Sequence, residues 1–281
     1  MNNSLEDILL NLRLGKDGIY NSNFVNKEQS KEIIIRENNA KKRKDNNYLD
    51  FIPNHHSIPV MEKEVYRALR MIKKNSVILD VGGGIGWHWK ILENARKDVK
   101  VVILDFVRGN LLRAKELHKD IINKRIYLVH GDATILPFPE NSFDLYWSVQ
   151  ALQHIKRFSK AVMEAKRILK PGGVFMNYSV NEIGLYKLIY KIFNKSYHIK
   201  GKVPGFIYLE RGSDKQKGII ETVFDKIVKT RFTEILYHPG IKMWTGGENN
   251  IIGKMDANLG SSNNFLKLLA NQRSFEVVKR N

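Results

Sequence analysis

Between residues 76 and 180 the chain alternates short apolar runs with amphipathic stretches. VILDV (77–81), VKVVILD (99–105), RIYLVHGD (125–132), FDLYWSV (143–149) and VFMNYSV (174–180) read as buried strands, being nearly continuous in Val, Ile, Leu and aromatic residues. Helical spacing fills the gaps: after the glycine-rich turn to about Ala95, from Asn110 to about Ile121, and from Ser159 to Leu169. KPGG (170–173) predicts a turn. Strands apolar on both faces, separated by helices, predict a parallel sheet covered on both sides.

A helix precedes this region. Ile58, Met61, Val65, Leu69 and Ile72 recur at helical spacing, Ser57 is placed to cap the start, and Pro59 suits the first turn. Glu62 and Glu64 complement the positive end of its dipole. Upstream, residues 21–50 are polar, and apolar patches at Leu5–Leu14 and Ile33–Ile35 predict short helices forming a cap. After residue 180 the rhythm is lost. An amphipathic stripe of Leu185, Leu188, Ile189, Ile192 and Phe193 opposes Lys187, Lys191 and Lys195, and a helix is expected from Ser213 to about Lys229. RFTEILYH (231–238) and SFEVVKR (274–280) read as strands, with Gly- and Asn-rich loops between them.

Composition narrows the chemistry. The chain has 281 residues and no cysteine, which excludes disulfides, a thiolate zinc site and a cysteine nucleophile. No run approaches the ~18 apolar residues of a membrane-spanning helix, and the N-terminus lacks the pattern of a secretory signal, so the expected location is the cytoplasm. Lys and Arg total 47 against 29 Asp and Glu, a formal charge of +18. Such an excess favours anionic partners, although the lysines are scattered. The run Lys41, Lys42, Arg43, Lys44 fits a solvated helix face or a phosphate contact.

The informative stretch is VILDVGGGIGWH (77–88). A strand delivers Asp80, and Gly82, Gly84 and Gly86 then alternate before a helix. The G-x-G-x-x-G dinucleotide frame fails in both registers, at Trp87 and at Trp89, and the Gly-Lys-Ser/Thr of a P-loop is missing. D-x-G-x-G-x-G does fit. Together with Asp105 at the end of the second strand, GDATILPFPENSFD (131–144) after the third, SVQALQHI (148–155) after the fourth and KPGG before the fifth, it resembles the class I S-adenosylmethionine-dependent methyltransferases of the small-molecule type over about residues 56–181.

The resemblance implies a Rossmann-like, doubly wound α/β fold: seven mostly parallel strands with the last antiparallel, an N-terminal helical cap and an insertion after the fifth strand. It divides the chain into an extension (1–55) and a methyltransferase domain (56–281), with 181–230 as a substrate lid. It implies S-adenosylmethionine as cofactor. Gly82, Gly83 and Gly84 would lie against its methionine part and ribose, with Asp80 organising the turn near the ammonium group. Asp105 would hold the ribose, Phe106 would lie on the adenine, and Asp132, with Ala133 beside it, would accept from the adenine amino group. Val149 and Gln150 would sit under the sulfonium. The expected reaction is methyl transfer to an oxygen or nitrogen of a small polar metabolite, such as a sugar or an acidic or phosphorylated acceptor. No metal is expected.

A hydroxyl acceptor gains from a general base, and His154, beyond the fourth strand, is the first candidate. His55 and His56 are placed to close over cofactor and substrate; His238 and the Glu248/Asp256 pair are weaker. SVQALQHI stands where amino methyltransferases carry N/D-P-P-Y/F, which counts against DNA-base and protein-glutamine methylation. The Leu185–Phe193 stripe fits a substrate lid or core packing, or else contact with a membrane surface. Two alternatives stay open: an RNA methyltransferase, and a cofactor-binding module without chemistry. The oligomeric state is not legible.

Overall fold

The computed structural model describes residues 4–22, 30–45, 52, 55–182, 184–198, 200–203, 206–237 and 250–280. Five parallel strands form its centre: β3 (Val77–Val81), β4 (Lys100–Asp105), β5 (Ile126–His130), β6 (Phe143–Val149) and β7 (Leu169–Val180). Preceding them in the chain are β1 (Arg13–Leu14) and β2 (Tyr20–Asn21); β8 (Lys200–Val203), β9 (Phe206–Glu210), β10 (Lys229–Thr233) and β11 (Gln272–Val278) follow. The sheet order is β1-β2-β5-β4-β3-β6-β7-β11-β10. β11 runs antiparallel to both β7 and β10, as expected of the last strand.

The sheet therefore has nine strands where seven were expected. The two additions are pairs of residues from the N-terminal extension. Tyr20 and Asn21 pair in parallel with Val129 and His130, and Ser22 donates its backbone N–H to the His130 carbonyl at 3.2 Å. Two-residue strands carry no periodicity to read, and part of the extension is thus sheet edge as well as helical cap. KPGG also differs from expectation. It lies within β7 as an irregularity, with Gly172 at φ +77°: the pairing steps from Leu169–Phe143 to Val174–Leu145, so that KPGG bulges out of the ladder.

Alternate residues of β3 feed opposite faces, as a pleated strand requires. Ile78 joins Ile103, Leu128, Leu145 and Trp147 beneath α3 (Ser57–Met71), α4 (Leu92–Ala95) and α5 (Arg108–Leu117). Leu79 and Val81 join Leu104, Tyr146 and Phe175 beneath α6 (Phe158–Ile168) and α8 (Asp214–Phe224), and α1 (Leu5–Leu9) packs there too. Each fully buried aliphatic side chain contributes about 1.5–3 kcal/mol. The buried Glu64 of α3 is tolerated because it is fully partnered. It accepts from the Tyr178 hydroxyl and from Arg231 Nε, each at 2.9 Å, and pairs with Arg67.

The 181–230 segment divides. Ile220 and Phe224 of α8 belong to the core, and the β8–β9 hairpin packs on the turn Leu152–His154. On α7 (Gly184–Ile192) and just after it, Leu188, Ile192 and Phe193 are exposed. Among the described residues no helix is long and apolar enough to cross a membrane.

Candidate functional site

The carboxyl ends of β3, β4, β5 and β6 meet around one glycine-rich turn, the place where open α/β sheets bind ligands. Two cavities flank that turn and share Gly82, Gly84, Asn110 and Gln150. The first, about 250 Å³, is lined by Asp105, Phe106, Asp132, Ala133 and His154, with Arg36 and Asn39 from α2 (Ser30–Asp45) above them. The second, about 370 Å³, is lined by Asp80, Gly83, His88 and Val149, and by His55, Ser57, Glu234 and Gln272.

Steric demands explain the glycines. Gly82 is at φ +69°, and a Cβ there would lie 2.2 Å from the Ala151 Cβ. At Gly83 a Cβ would lie 2.4 Å from the Asp80 carboxylate. Gly84, at φ +59°, differs: a Cβ there would meet nothing within 4 Å, because it would project into open space. Gln150 adopts φ +51° without being glycine, held by its N–H to the Tyr178 carbonyl at 2.7 Å. Left-handed backbone at a non-glycine residue stores strain, which concentrates at ligand sites.

Asp105 ends β4 with its carboxylate buried. Its Oδ2 accepts the Gly84 N–H at 2.9 Å and its Oδ1 the Val107 N–H at 2.7 Å. Burial pushes its carboxyl up, against these bonds. The Asn110 side chain also donates to this carboxylate, which leaves about one of its roughly four lone-pair sites for another donor. Asp132 is buried and accepts from the Thr134 N–H and hydroxyl at 2.7 and 2.9 Å. Asp80 accepts the Trp89 indole N–H at 2.8 Å, and burial, with Asp105 nearby, raises its carboxyl to about 7. The Arg36 guanidinium lies 5.9 Å from the centre of the Phe106 ring, within cation–π range.

His154 places Nδ1 2.8 Å from the Tyr208 carbonyl, so Nδ1 carries the hydrogen. Burial lowers its pKa to about 4, with Arg36 acting in the same direction. His55 lines the second cavity, whereas His56 is buried against Asp256 at 2.7 Å. Asp256 also accepts the N–H groups of Ile235 and Leu236, and so ties α3, the chain after β10 and α9 (Ile251–Asp256) together. His238 and Glu248 lie outside the described residues. Lys41 and Lys42 are exposed on α2, and nothing is described of the Arg43 and Lys44 side chains. Among the described residues no group of three or more acidic or imidazole side chains is placed to hold a metal ion.

Sequence reasoning missed Arg36, Asn39, Glu234 and Gln272. The first two arrive because Glu37 caps α5, accepting the N–H groups of Arg108 and Gly109 at 2.6 and 3.1 Å. Its position on α2 one residue from Arg36 was the available signal. Gln272 opens β11 and Glu234 directly follows β10, and the Thr233–Gln272 pairing brings them together.

Residues 79–177 match the family described as a methyltransferase domain. The chain is 32% identical over 168 residues to malonyl-(acyl-carrier protein) O-methyltransferase of Buchnera aphidicola, an alignment covering 58% of this chain and 64% of that one. It is 30% identical over 171 residues to the ubiquinone/menaquinone biosynthesis C-methyltransferase UbiE of Bartonella quintana, covering 59% and 64%. The chain thus spans just under two thirds of the length of these two relatives. The fold resembles a solved SAM-dependent methyltransferase from Thermotoga maritima, with TM-score 0.56 and 16% identity over 86% of this chain and 99% of that one.

Proposed function

Because residues 79–177 match the methyltransferase-domain family, we propose that the chain is a class I S-adenosylmethionine-dependent methyltransferase that moves a methyl group to an oxygen-bearing small-molecule acceptor, with 56–281 as the catalytic domain. The observation that carries this reading is the pair of cavities on either side of one glycine turn. The first suits a nucleoside. Asp105 has acceptor capacity left for a ribose hydroxyl, Phe106 offers a ring face and Asp132 an acceptor for an exocyclic amine. The open space beyond Gly84 accommodates a ligand lying against backbone. When bound, the cofactor supplies an electrophilic methyl on a positively charged sulfur.

The second cavity suits the acceptor. Ile58, Met61 and Trp87 give it an apolar body, and His55, Glu234 and Gln272 give it polar points. A lining that mixes apolar side chains with polar ones suits an acceptor with both an apolar body and hydroxyl groups, and the two relatives act, by name, on an acyl-carrier substrate and in quinone biosynthesis. The residues contribute chiefly by alignment, which is most of what an in-line displacement requires. His154 lines the first cavity and holds a neutral ring whose conjugate acid titrates near 4. Such a ring is a weak base at neutral pH, so its role here is to shape the wall beside the nucleoside.

Calorimetry with S-adenosylhomocysteine tests this reading. Binding to the wild type, weakened by about 2–4 kcal/mol in Asp105→Ala, is expected, since ribose hydroxyls would lose a charged acceptor. Unchanged affinity in the folded variant would place the nucleoside elsewhere.

A further inference from the structure

Resting on that reading, we propose that Glu234 and Gln272 form a hydroxyl-recognition subsite, in which a ligand O–H donates to Glu234 Oε1 and accepts from Gln272 Nε2. Both side chains line the second cavity and both are fully buried. Each has one polar atom committed within the protein. Glu234 Oε2 accepts from the Asn271 amide at 2.6 Å, and Gln272 Oε1 accepts from the Thr233 hydroxyl at 2.8 Å. The remaining atom of each, Oε1 and Nε2, makes no hydrogen bond within the protein.

A buried polar atom left unpaired costs about 1–3 kcal/mol, and here one acceptor and one donor are left unpaired on two side chains that line the same cavity, with Ser57 of that lining beside the Glu234 carboxylate. A hydroxyl is the smallest group that satisfies both, being one donor and two acceptors on a single atom. An ammonium group would offer Gln272 nothing to bond, and a carboxylate would repel Glu234.

Backbone geometry supports a functional reason for the position. Glu234 adopts φ +57° at the end of β10, a conformation unusual for a residue other than glycine. The surroundings hold it there: its own carbonyl accepts the Asn271 N–H at 2.9 Å, and the Asp256 carboxylate ties down the next two residues. The neighbours divide in their effect. Burial and Asp256 push the Glu234 carboxyl up, while Ser57, Asn271 and His56 favour its charged form. A hydrogen bond from a ligand hydroxyl joins the second group.

Phenol and anisole, alike in ring and size, differ in the hydroxyl hydrogen. Ligand-observed NMR on the full chain loaded with S-adenosylhomocysteine is expected to show phenol binding at least about fivefold more tightly than anisole. Glu234→Gln, which keeps the shape but not the charge, should narrow that preference to about twofold, and Glu234→Met should abolish it. S-adenosylhomocysteine affinity and melting temperature report whether each variant is folded; if the Met variant is not, the Gln variant decides. Equal binding of the two probes by wild type, no binding of phenol, or a preference that survives in the folded variants would overturn the subsite. Failure of S-adenosylhomocysteine to bind the wild type would instead overturn the reading beneath it.

Discussion

Trp89 donates its indole N–H to Asp80 Oδ2 at 2.8 Å inside the core. The bond fastens the end of β3 to the turn that follows the glycines, and it places a carboxylate where burial raises its pKa to about 7. A neutral side chain with the same acceptor would do the fastening without the charge.

Asp80→Asn is therefore expected to stabilise the protein in a pH-dependent way. The folded carboxyl titrates near 7 and the unfolded one near 3.8. A raised folded pKa means that wild type is fully stable below the unfolded value and loses stability as pH rises toward 7. The variant lacks this loss. Its gain in melting temperature should be near zero at pH 4 and level off above pH 7, where it is worth on the order of 4 kcal/mol. Thermal melts across pH 4–8 check this; a gain independent of pH would mean that Asp80 is not the titrating group.

Gly82 and Gly84 should separate folding from binding. Gly82→Ala drives a methyl to 2.2 Å from Ala151 and is expected to cost about 3 kcal/mol or more in strain and overpacking. Gly84→Ala meets no protein atom, so its cost is the left-handed backbone alone, about 1–2 kcal/mol. Its methyl enters the open space, and S-adenosylhomocysteine affinity should fall at least tenfold. Melts and calorimetry on both variants decide; tight binding by Gly84→Ala would remove the ligand from that space.

Local signals made the centre of the fold legible. Asp80, Asp105 and Asp132 each end an apolar run or stand just beyond it, and the glycine spacing announced the turn that gathers them. Edge strands were not legible, because Tyr20 and Asn21 form a strand through pairing with Val129 and His130, not through any pattern of their own. The second cavity was legible only in part, through His55, Asp80, Gly83 and Val149. Glu234 has no periodic neighbours to mark it, and its importance appears once β10 and β11 pair and leave its Oε1 without a partner. His154 was visible as a titratable ring near the site, yet its environment was not, since Tyr208 approaches from 54 residues away.

Glu37 links the N-terminal extension to the first cavity. Its carboxylate satisfies the N–H groups of Arg108 and Gly109 at the start of α5, and the same helix places Arg36 and Asn39 over Asp105 and Phe106. Glu37→Ala is expected to cost about 0.5–2 kcal/mol as a lost helix cap. Because α2 is then held less firmly, S-adenosylhomocysteine should bind several-fold more weakly, although Glu37 does not line the cavity. Calorimetry and melts on the one variant test the link. Unchanged affinity would show that α2 is held in place by other contacts.

His154 offers a last test through two pH profiles. Its ring is buried, donates from Nδ1 to the Tyr208 carbonyl, and titrates near 4 rather than near 6.5. The unfolded chain binds that proton first as pH falls. Stability supplied by the neutral ring is thus complete above about 6.5 and is lost as pH drops toward 4, an effect of up to about 3 kcal/mol. His154→Gln keeps a donor for Tyr208 and removes the titration, so its melting temperature should fall less steeply than wild type between pH 6.5 and 4. Methyl transfer should decline less than tenfold in the variant, with the same pH dependence as wild type above pH 5. A general base would behave otherwise: loss of His154 would lower turnover by about 10²–10⁴-fold and erase an ionisation from the rate profile. Those losses in a folded variant would assign proton transfer to His154.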